Sequence, residues 1–337
     1  MKKYKNGLVL GKYYPLHLGH LYLIDTAIEN CENVHVVVCH NSKQYIPGSL
    51  RYNVIKEIYK NNKNVFVYSA YDDFMPQNES DVDNLDIFYK SFWVPFVHEY
   101  VKDLDVVFTS ENYGDDFAKY LGVEHYLVDK ERKKYKISGT EIRKDPYNNW
   151  EFIPDEIKPF FVKRIVLMGP ESVGKSTLTK KLAEYYNTNY VEEYGRTVYE
   201  ENNNRLDLED FVKISIGRQK IENKMVVKSN KFLFCDTEDI TTYIFCKRFF
   251  PDDYEELNDF FISKINNKPK YDLYILLKPD VEGVQDGTRE FLDDRENHYN
   301  EIKQFLIDKK RYFIEIGGDW ENRYNESIKM INLIFKN

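Results

Sequence analysis

Short runs of consecutive apolar residues alternate along this chain with longer stretches in which apolar residues recur every three or four positions. In the first half the short runs are "GLVLG", "NVHVVVCH", "NVFVYSA", "DVVFTS" and "HYLV", rich in Val and Phe, and they predict buried strands. The stretches between them, "HLYLIDTAIENC", "SLRYNVIKEIYK", "DIFYKSFWVPFVHEYV" and "DDFAKYLG", carry helical spacing. Strand–helix alternation of this kind predicts an α/β fold with a parallel, doubly wound sheet.

The segment "KDPYNNWEFIPDEIKPFF" breaks the alternation with three prolines and an Asn pair, which marks a join between domains. A second series follows, with strand-like "RIVLMG", "NYVEEY", "KFLFCDT", "YDLYILL" and "RYFIEIGG" separated by long polar helices. The expectation is two doubly wound domains, residues 1–147 and 163–337, joined by a linker over 148–162. The helix starting near Asp207, "DLEDFVKISIGRQKIENKMVVKS", has a polar face that reads as solvated surface.

The length, 337 residues, suits two domains of this size. A net charge of −8 and the absence of any basic block argue against a nucleic-acid partner. No apolar run is long enough to span a bilayer, and the first residues lack a signal-peptide core, so a cytoplasmic location without membrane insertion is expected. Four cysteines without a C-x-x-C pair read as thiols. The 28 Tyr and 22 Phe fit either core packing in a compositionally biased sequence or stacking on flat heterocycles.

Candidate chemistry begins in the turn after the first strand, "GKYYPLHLGH", which contains Gly11, Lys12 and Tyr13 and ends on His20. A helix N-terminus there offers free N–H groups and partial positive charge to a phosphate. Gly11 lets the turn approach a ligand, and Gly19 removes a side chain between the histidines. His17 and His20, three apart, share a helix face. Their N–H groups can donate to phosphate oxygens and stabilise charge building on a pentavalent phosphorus. Farther on, "ISGTEIRKDP" offers Ser138 and Thr140 as capping candidates, with Arg143 one turn later. In "TSENYGDDFA", Ser110 and Glu111 are candidates to cap the next helix.

The second half opens on "GPESVGKST", which fits the P-loop pattern G-x-x-x-x-G-K-[ST] between a strand and the helix "STLTKKLAEYY". The ATP-binding set expected there is Gly169, Glu171, Ser172, Val173, Gly174, Lys175, Ser176 and Thr177. Lys175 is expected on the β- and γ-phosphate oxygens and Ser176 on Mg²⁺. Asp236, ending "KFLFCD", takes the other magnesium position. "VEEYGR" ends a strand and presents Glu193 and Arg196 towards an acceptor hydroxyl, with Glu192 turned away by strand alternation. "DGTREFLDDREN" supplies Asp286, Arg289 and Arg295, the two arginines being suited to a lid that neutralises a transferring phosphoryl group or to a solvated helix face.

Together, "GKYYPLHLGH" and "ISGTEIR" resemble the paired H-x-G-H and I-S-x-T-x-x-R signature of the nucleotidyltransferase superfamily. That resemblance implies a Rossmann-like domain in which Gly11, Lys12, Tyr13, His17, Gly19, His20, Ser138, Thr140 and Arg143 bind one ATP for adenylyl transfer. "TSENYG" resembles a family loop, S-E-x-Y-G, near the nucleotide. With "GPESVGKS", "EEYGR", "CDTEDITT" and "DGTR" in that order, nearly the whole chain resembles the NadR-type family, an adenylyltransferase followed by a P-loop kinase.

The resemblance implies catalytic roles for His17, His20, Arg143, Lys175, Glu193 and Asp236. It implies ATP at both sites, Mg²⁺, phosphorylation of nicotinamide riboside to NMN, and transfer of AMP to NMN to give NAD⁺. Trp93 could stack on the pyridinium ring or pack in the core, while Glu193, Arg196, Asp236, Asp286 and Arg289 would hold the riboside. Some family members begin with a helix-turn-helix segment and act as repressors. A phosphate motif starting at Gly11 leaves no room for one before it here. A sensor of NMN or NAD⁺, or a fused kinase and nucleotidyltransferase for other substrates, stays open, as does a homo-oligomer. Flavin synthesis also fuses an adenylyltransferase to a kinase, but without a P-loop.

Overall fold

The computed structural model describes residues 2–267, 271–284 and 290–335. The chain divides into two compact units, Met1–Lys158 and Pro159–Asn337. In the first, the apolar runs form strands β1 (Tyr4–Gly11), β2 (Cys31–His40), β3 (Val65–Tyr71), β4 (Val106–Thr109) and β5 (Glu124–Leu127). All pairings are parallel, in the order β3-β2-β1-β4-β5. The Val run of β2 explains its central place: Val34, Val36, Val37 and Val38 are all buried, as strands covered on both faces require. Helices α1 (Leu18–Asn30), α2 (Gly48–Ile58), α3 (Val94–Tyr100), α4 (Gly114–Leu121) and α5 (Gly139–Lys144) follow in chain order.

The sequence predicts one continuous helix over "DIFYKSFWVPFVHEYV", and the structure differs. Residues Ile87–Trp93 form a π-helix before α3 begins. Pro95 lacks an N–H, and its ring would clash with the carbonyl four residues back. The wider turn, with Val94 N–H donating to Tyr89 O, carries the chain past that point.

The second unit repeats the plan with β6 (Lys163–Met168), β7 (Tyr190–Val191), β8 (Phe232–Asp236), β9 (Leu273–Leu277) and β10 (Phe313–Ile316), all parallel in the order β10-β9-β6-β8-β7. Its helices are α6 (Lys175–Tyr185), α7 (Tyr194–Glu201), α8 (Leu208–Val226), α9 (Asp239–Phe249), α10 (Asn258–Asn267), α11 (Arg295–Asp308) and α12 (Trp320–Phe335). Strand β7 is shorter than its sequence suggests, so Glu193 is not a strand residue; it occupies the N-cap position of α7.

The polar face of α8 is a second difference. Asp210, Ser215, Arg218 and Glu222 are buried rather than solvated. Arg218 donates to Glu222 (2.9 Å), to Asp239 (3.1 Å) and to the Tyr271 hydroxyl (2.7 Å), and Arg164 pairs with the other oxygen of Glu222 at 2.7 Å. Charges enter a core only when paired and hydrogen-bonded in this way. Among the described residues no helix is long and apolar enough to cross a membrane.

Candidate active sites

In the first sheet the chain leaves β1 towards β2 on one side and reaches β4 on the other, so a crevice opens at the carboxyl ends of β1 and β4. A cavity of about 1270 Å³ lies there, larger than one small ligand needs. His17 is the N-cap residue of α1 and His20 lies in its first turn. Their rings stack with centroids 3.6 Å apart. Gly19 makes room for them, since a Cβ at that position would lie 3.0 Å from His17 Nδ1. Neither Nδ1 has a hydrogen-bond partner. Burial, with the Arg132 charge adding to it, lowers His17 to about 4; burial and the neighbouring His17 carry His20 well below the usual value. Both rings are neutral donors at pH 7. Tyr13, fully buried with φ 45°, supports His20 edge-on at 5.1 Å.

The second half of the signature docks against this turn. Ser138 is the N-cap of α5: its hydroxyl accepts from Glu141 N–H at 3.2 Å and donates to Glu141 Oε2 at 2.6 Å. Thr140 does not cap; it lies inside α5 and hydrogen-bonds to Arg143 Nη2 at 2.9 Å. Arg143 also donates to Tyr14 O and lies over the Tyr14 ring at 4.5 Å. This contact needs Gly139, because a Cβ there would come within 2.5 Å of the Tyr14 carbonyl oxygen. His17, His20, Ser138, Thr140, Arg143, Gly11, Lys12, Tyr13 and Gly19 all line the one cavity.

Residues 109–113 also line it, but neither Ser110 nor Glu111 caps α4, whose N-cap is Tyr113. Behind this loop His125 bridges Asp115 (2.7 Å) and the Thr109 hydroxyl (2.9 Å). Glu111 instead pairs with Arg132 at 3.2 Å. Sequence reasoning missed Arg132, a cavity-lining cation next to both histidines. It is one of several basic residues in "DKERKKYK", and only its left-handed backbone (φ 52°) and the fold of that loop distinguish it. Trp93 belongs to the core cluster with Phe88 and Phe96 and also lines the cavity, its indole N–H donating to Pro76 O at 3.2 Å.

In the second unit β6 runs directly into the loop Gly169–Gly174 and then α6. Gly169 (φ 144°) and Gly174 (φ 83°) adopt conformations that side-chain-bearing residues rarely reach. Lys175 is buried and folded over the loop, donating to Gly169 O (3.0 Å) and Pro170 O (2.8 Å). Glu171, Ser172, Gly174, Lys175, Ser176 and Thr177 line a cavity of about 240 Å³ with Glu193 and Arg196. Val173 is buried in the core beneath the loop. Arg323 of α12, another residue that carries no motif, fixes the loop from below: it donates to Val173 O (2.8 Å), Gly318 O (2.8 Å) and Lys278 O (2.9 Å) and pairs with Asp280.

Asp236, at the carboxyl end of β8, is buried, and neither carboxylate oxygen has a partner at hydrogen-bond geometry. Burial and then the Glu193 charge push it up to about 7, against the pull of Lys175, the Ser176 side chain and Arg196. Asp236, Ser176, Glu193 and Arg196 surround one hollow. Glu192 lines the same hollow, paired with Lys180 at 3.0 Å, so it is not turned away as strand alternation predicts; β7 ends at Val191, before that alternation reaches it. Arg295 begins α11 with its guanidinium against Gly283. Asp286 and Arg289 lie outside the described residues.

Two parallel sheets, one with a histidine pair at its carboxyl edge and one with a P-loop, define a fused nucleotidyltransferase and P-loop kinase. Family profiles match both parts, the citrate lyase ligase C-terminal domain over residues 7–134 and an AAA domain over residues 164–323. The trifunctional NAD biosynthesis/regulator protein NadR of Escherichia coli K12 is 30% identical, covering 96% of this chain and 82% of its own length. Its Salmonella typhimurium LT2 counterpart is 30% identical over 98% and 83%. The chain belongs to the NadR family. Crystal structures of NadR protein in complex with NR, and in complex with NAD and AMP-PNP, share its fold, with TM-scores of 0.82 and 0.81 at 21% and 22% identity. Each covers 100% of this chain and 98% of its own.

Proposed function

We propose that the chain makes NAD⁺ in two ATP-dependent steps. In the kinase step the 5′-hydroxyl oxygen of nicotinamide riboside attacks the γ-phosphorus of ATP, and the bond to ADP breaks as NMN forms. In the adenylyltransferase step a phosphate oxygen of NMN attacks the α-phosphorus of another ATP, giving NAD⁺ and releasing pyrophosphate. The observation that carries the reading is the pairing, in one chain of the NadR family, of a stacked-histidine cavity with a P-loop cavity. Residues 1–147 form the adenylyltransferase domain in this reading, 163–337 the kinase, and 148–162 the join.

In the adenylyltransferase, His17 and His20 donate neutral imidazole N–H groups to the α-phosphate, and Arg143 leaves Tyr14 for the nucleotide's phosphates. In the kinase, Lys175 exchanges the Gly169 and Pro170 carbonyls for phosphate oxygens. Glu193 orients the acceptor hydroxyl and Arg196 lies beside it. Asp236 and Ser176 fit Mg²⁺: the donors are hard oxygens, and a buried carboxylate with neither oxygen at hydrogen-bond geometry is what a dication would satisfy. In this reading the ion is held by one carboxylate, the Ser176 hydroxyl, waters and phosphates. When bound, it neutralises charge on the transferring phosphoryl group.

Incubation with nicotinamide riboside, ATP and Mg²⁺, followed by mass, tests this directly. NMN should appear first and NAD⁺ after it. Binding of NMN with no NAD⁺ formed would support a sensor instead.

A further inference from the structure

Gln77 sits in the loop after β3 and lines the first-unit cavity with Asn78, Phe88 and Trp93. Its Nε2 donates to two main-chain oxygens, Asp72 O and Met75 O, both at 3.0 Å. Turning the amide over would set its oxygen against those two carbonyls, so its orientation is fixed by the chemistry of its neighbours. Oε1 is then the one uncommitted polar atom of the side chain, buried and without a partner. The loop around it is tied at several points. Gln77 N–H donates to Asp81 Oδ2 at 2.9 Å, and Pro76 O accepts from the Trp93 indole at 3.2 Å. The aromatic wall is thereby anchored one residue from the amide, with Phe88 and Trp93 centroids 6.2 Å apart.

An aromatic wall beside a lone amide acceptor suits a flat heteroaromatic ring bearing an N–H₂ group. Resting on the adenylyltransferase reading above, we propose that Gln77 Oε1 accepts a hydrogen bond from the amide N–H₂ of the pyridinium 3-carboxamide of NMN. It thereby selects the carboxamide over the 3-carboxylate. A buried acceptor is unfavourable while unsatisfied, and the ligand amide removes that deficit. A carboxylate in the same place brings only lone pairs and negative charge towards another oxygen. A 3-acetyl group fills a similar volume and keeps the carbonyl but offers no donor.

The test crosses protein and ligand. Adenylyl transfer is measured on wild type and Gln77→Leu with NMN, 3-acetylpyridine mononucleotide and nicotinic acid mononucleotide, together with KM for ATP. Wild type should favour NMN over the acetyl analogue by about 10- to 100-fold in kcat/KM, and over the acid by more. Gln77→Leu should lose that factor for NMN, change little for the acetyl analogue, and keep its KM for ATP. Equal use of NMN and the acetyl analogue by wild type overturns the proposal without any variant. A folded Gln77→Leu protein that keeps the wild-type preference overturns it too. If wild type adenylylates none of the three, the adenylyltransferase reading falls and the Gln77 assignment with it, an outcome distinct from failure of Gln77 alone.

Discussion

The imidazole rings of His17 and His20 are stacked 3.6 Å apart with their planes 22° from parallel. Two imidazolium cations at that separation inside a fold would repel strongly, and burial already disfavours even one. The pair therefore stands ready as two neutral donors. An arriving phosphate supplies acceptor oxygens to rings whose Nδ1 atoms have no partner in the fold.

From this follows the role of the pair as electrostatic stabilisers. His20→Ala should lower adenylyl transfer to NMN by about 10²–10³, the usual cost of removing one preorganised donor, with riboside phosphorylation intact. Steady-state rates for the two half-reactions check it. Trapping an adenylyl-histidine on the wild type would point to a nucleophile instead.

Acid should destabilise the protein through its buried histidines. His298 has no partner on either ring nitrogen, and burial, then Arg248 and Lys175, lower it to about 3. His17 is lowered to about 4. The unfolded chain takes up these protons near pH 6.5 and the folded one does not. Stability is therefore full above about 6.5 and falls as pH drops towards 4, by up to about 1.4 kcal/mol per pH unit for each histidine. Thermal midpoints across that range should show the slope, and His298→Leu should make it shallower.

Lys175→Ala should abolish riboside phosphorylation while adenylylation of supplied NMN continues, since Lys175 belongs to the second unit alone. Separate assays of each step decide the matter. Loss of both activities in a folded variant would contradict independent sites.

Asp236 is raised to about 7 by burial and Glu193. A carboxyl raised on folding favours its protonated form, so its cost to the fold grows as pH climbs from about 4 to 7 and stays above that. Without Mg²⁺, Asp236→Asn should raise the thermal midpoint at pH 8 by about 2–6 °C and change little near pH 4. The same variant should weaken the response of the kinase to Mg²⁺. Glu193→Gln should lower kinase turnover and leave ATP affinity nearly intact; full turnover at saturating riboside would move the acceptor role to Asp236 or another carboxylate.

Gly139→Ala forces a Cβ to within 2.5 Å of Tyr14 O, which is main chain and cannot rotate away. It should push α5 and Arg143 off the first turn, cost about 1–3 kcal/mol in stability, and slow adenylyl transfer without slowing the kinase. Calorimetry alongside the two assays checks both halves.

Local sequence by itself determined the strand–helix alternation, the P-loop and the histidine turn. Each is written in neighbouring residues: continuous apolar runs or a spacing near 3.6, glycines at left-handed positions, and histidines three apart on one face. Spacing says which residues share a face and nothing about what that face meets. The polar stripe of α8 therefore looked solvated, although Arg218 and Glu222 are buried against Asp239 and Tyr271. Arg323 and Arg132 carry no motif, and only the fold brings one beneath the P-loop and the other beside the histidines. Charge states were likewise set in three dimensions. His17 becomes a neutral donor and Asp236 a raised acid because distant segments remove water from them, and desolvation depends on packing that no short stretch of sequence contains.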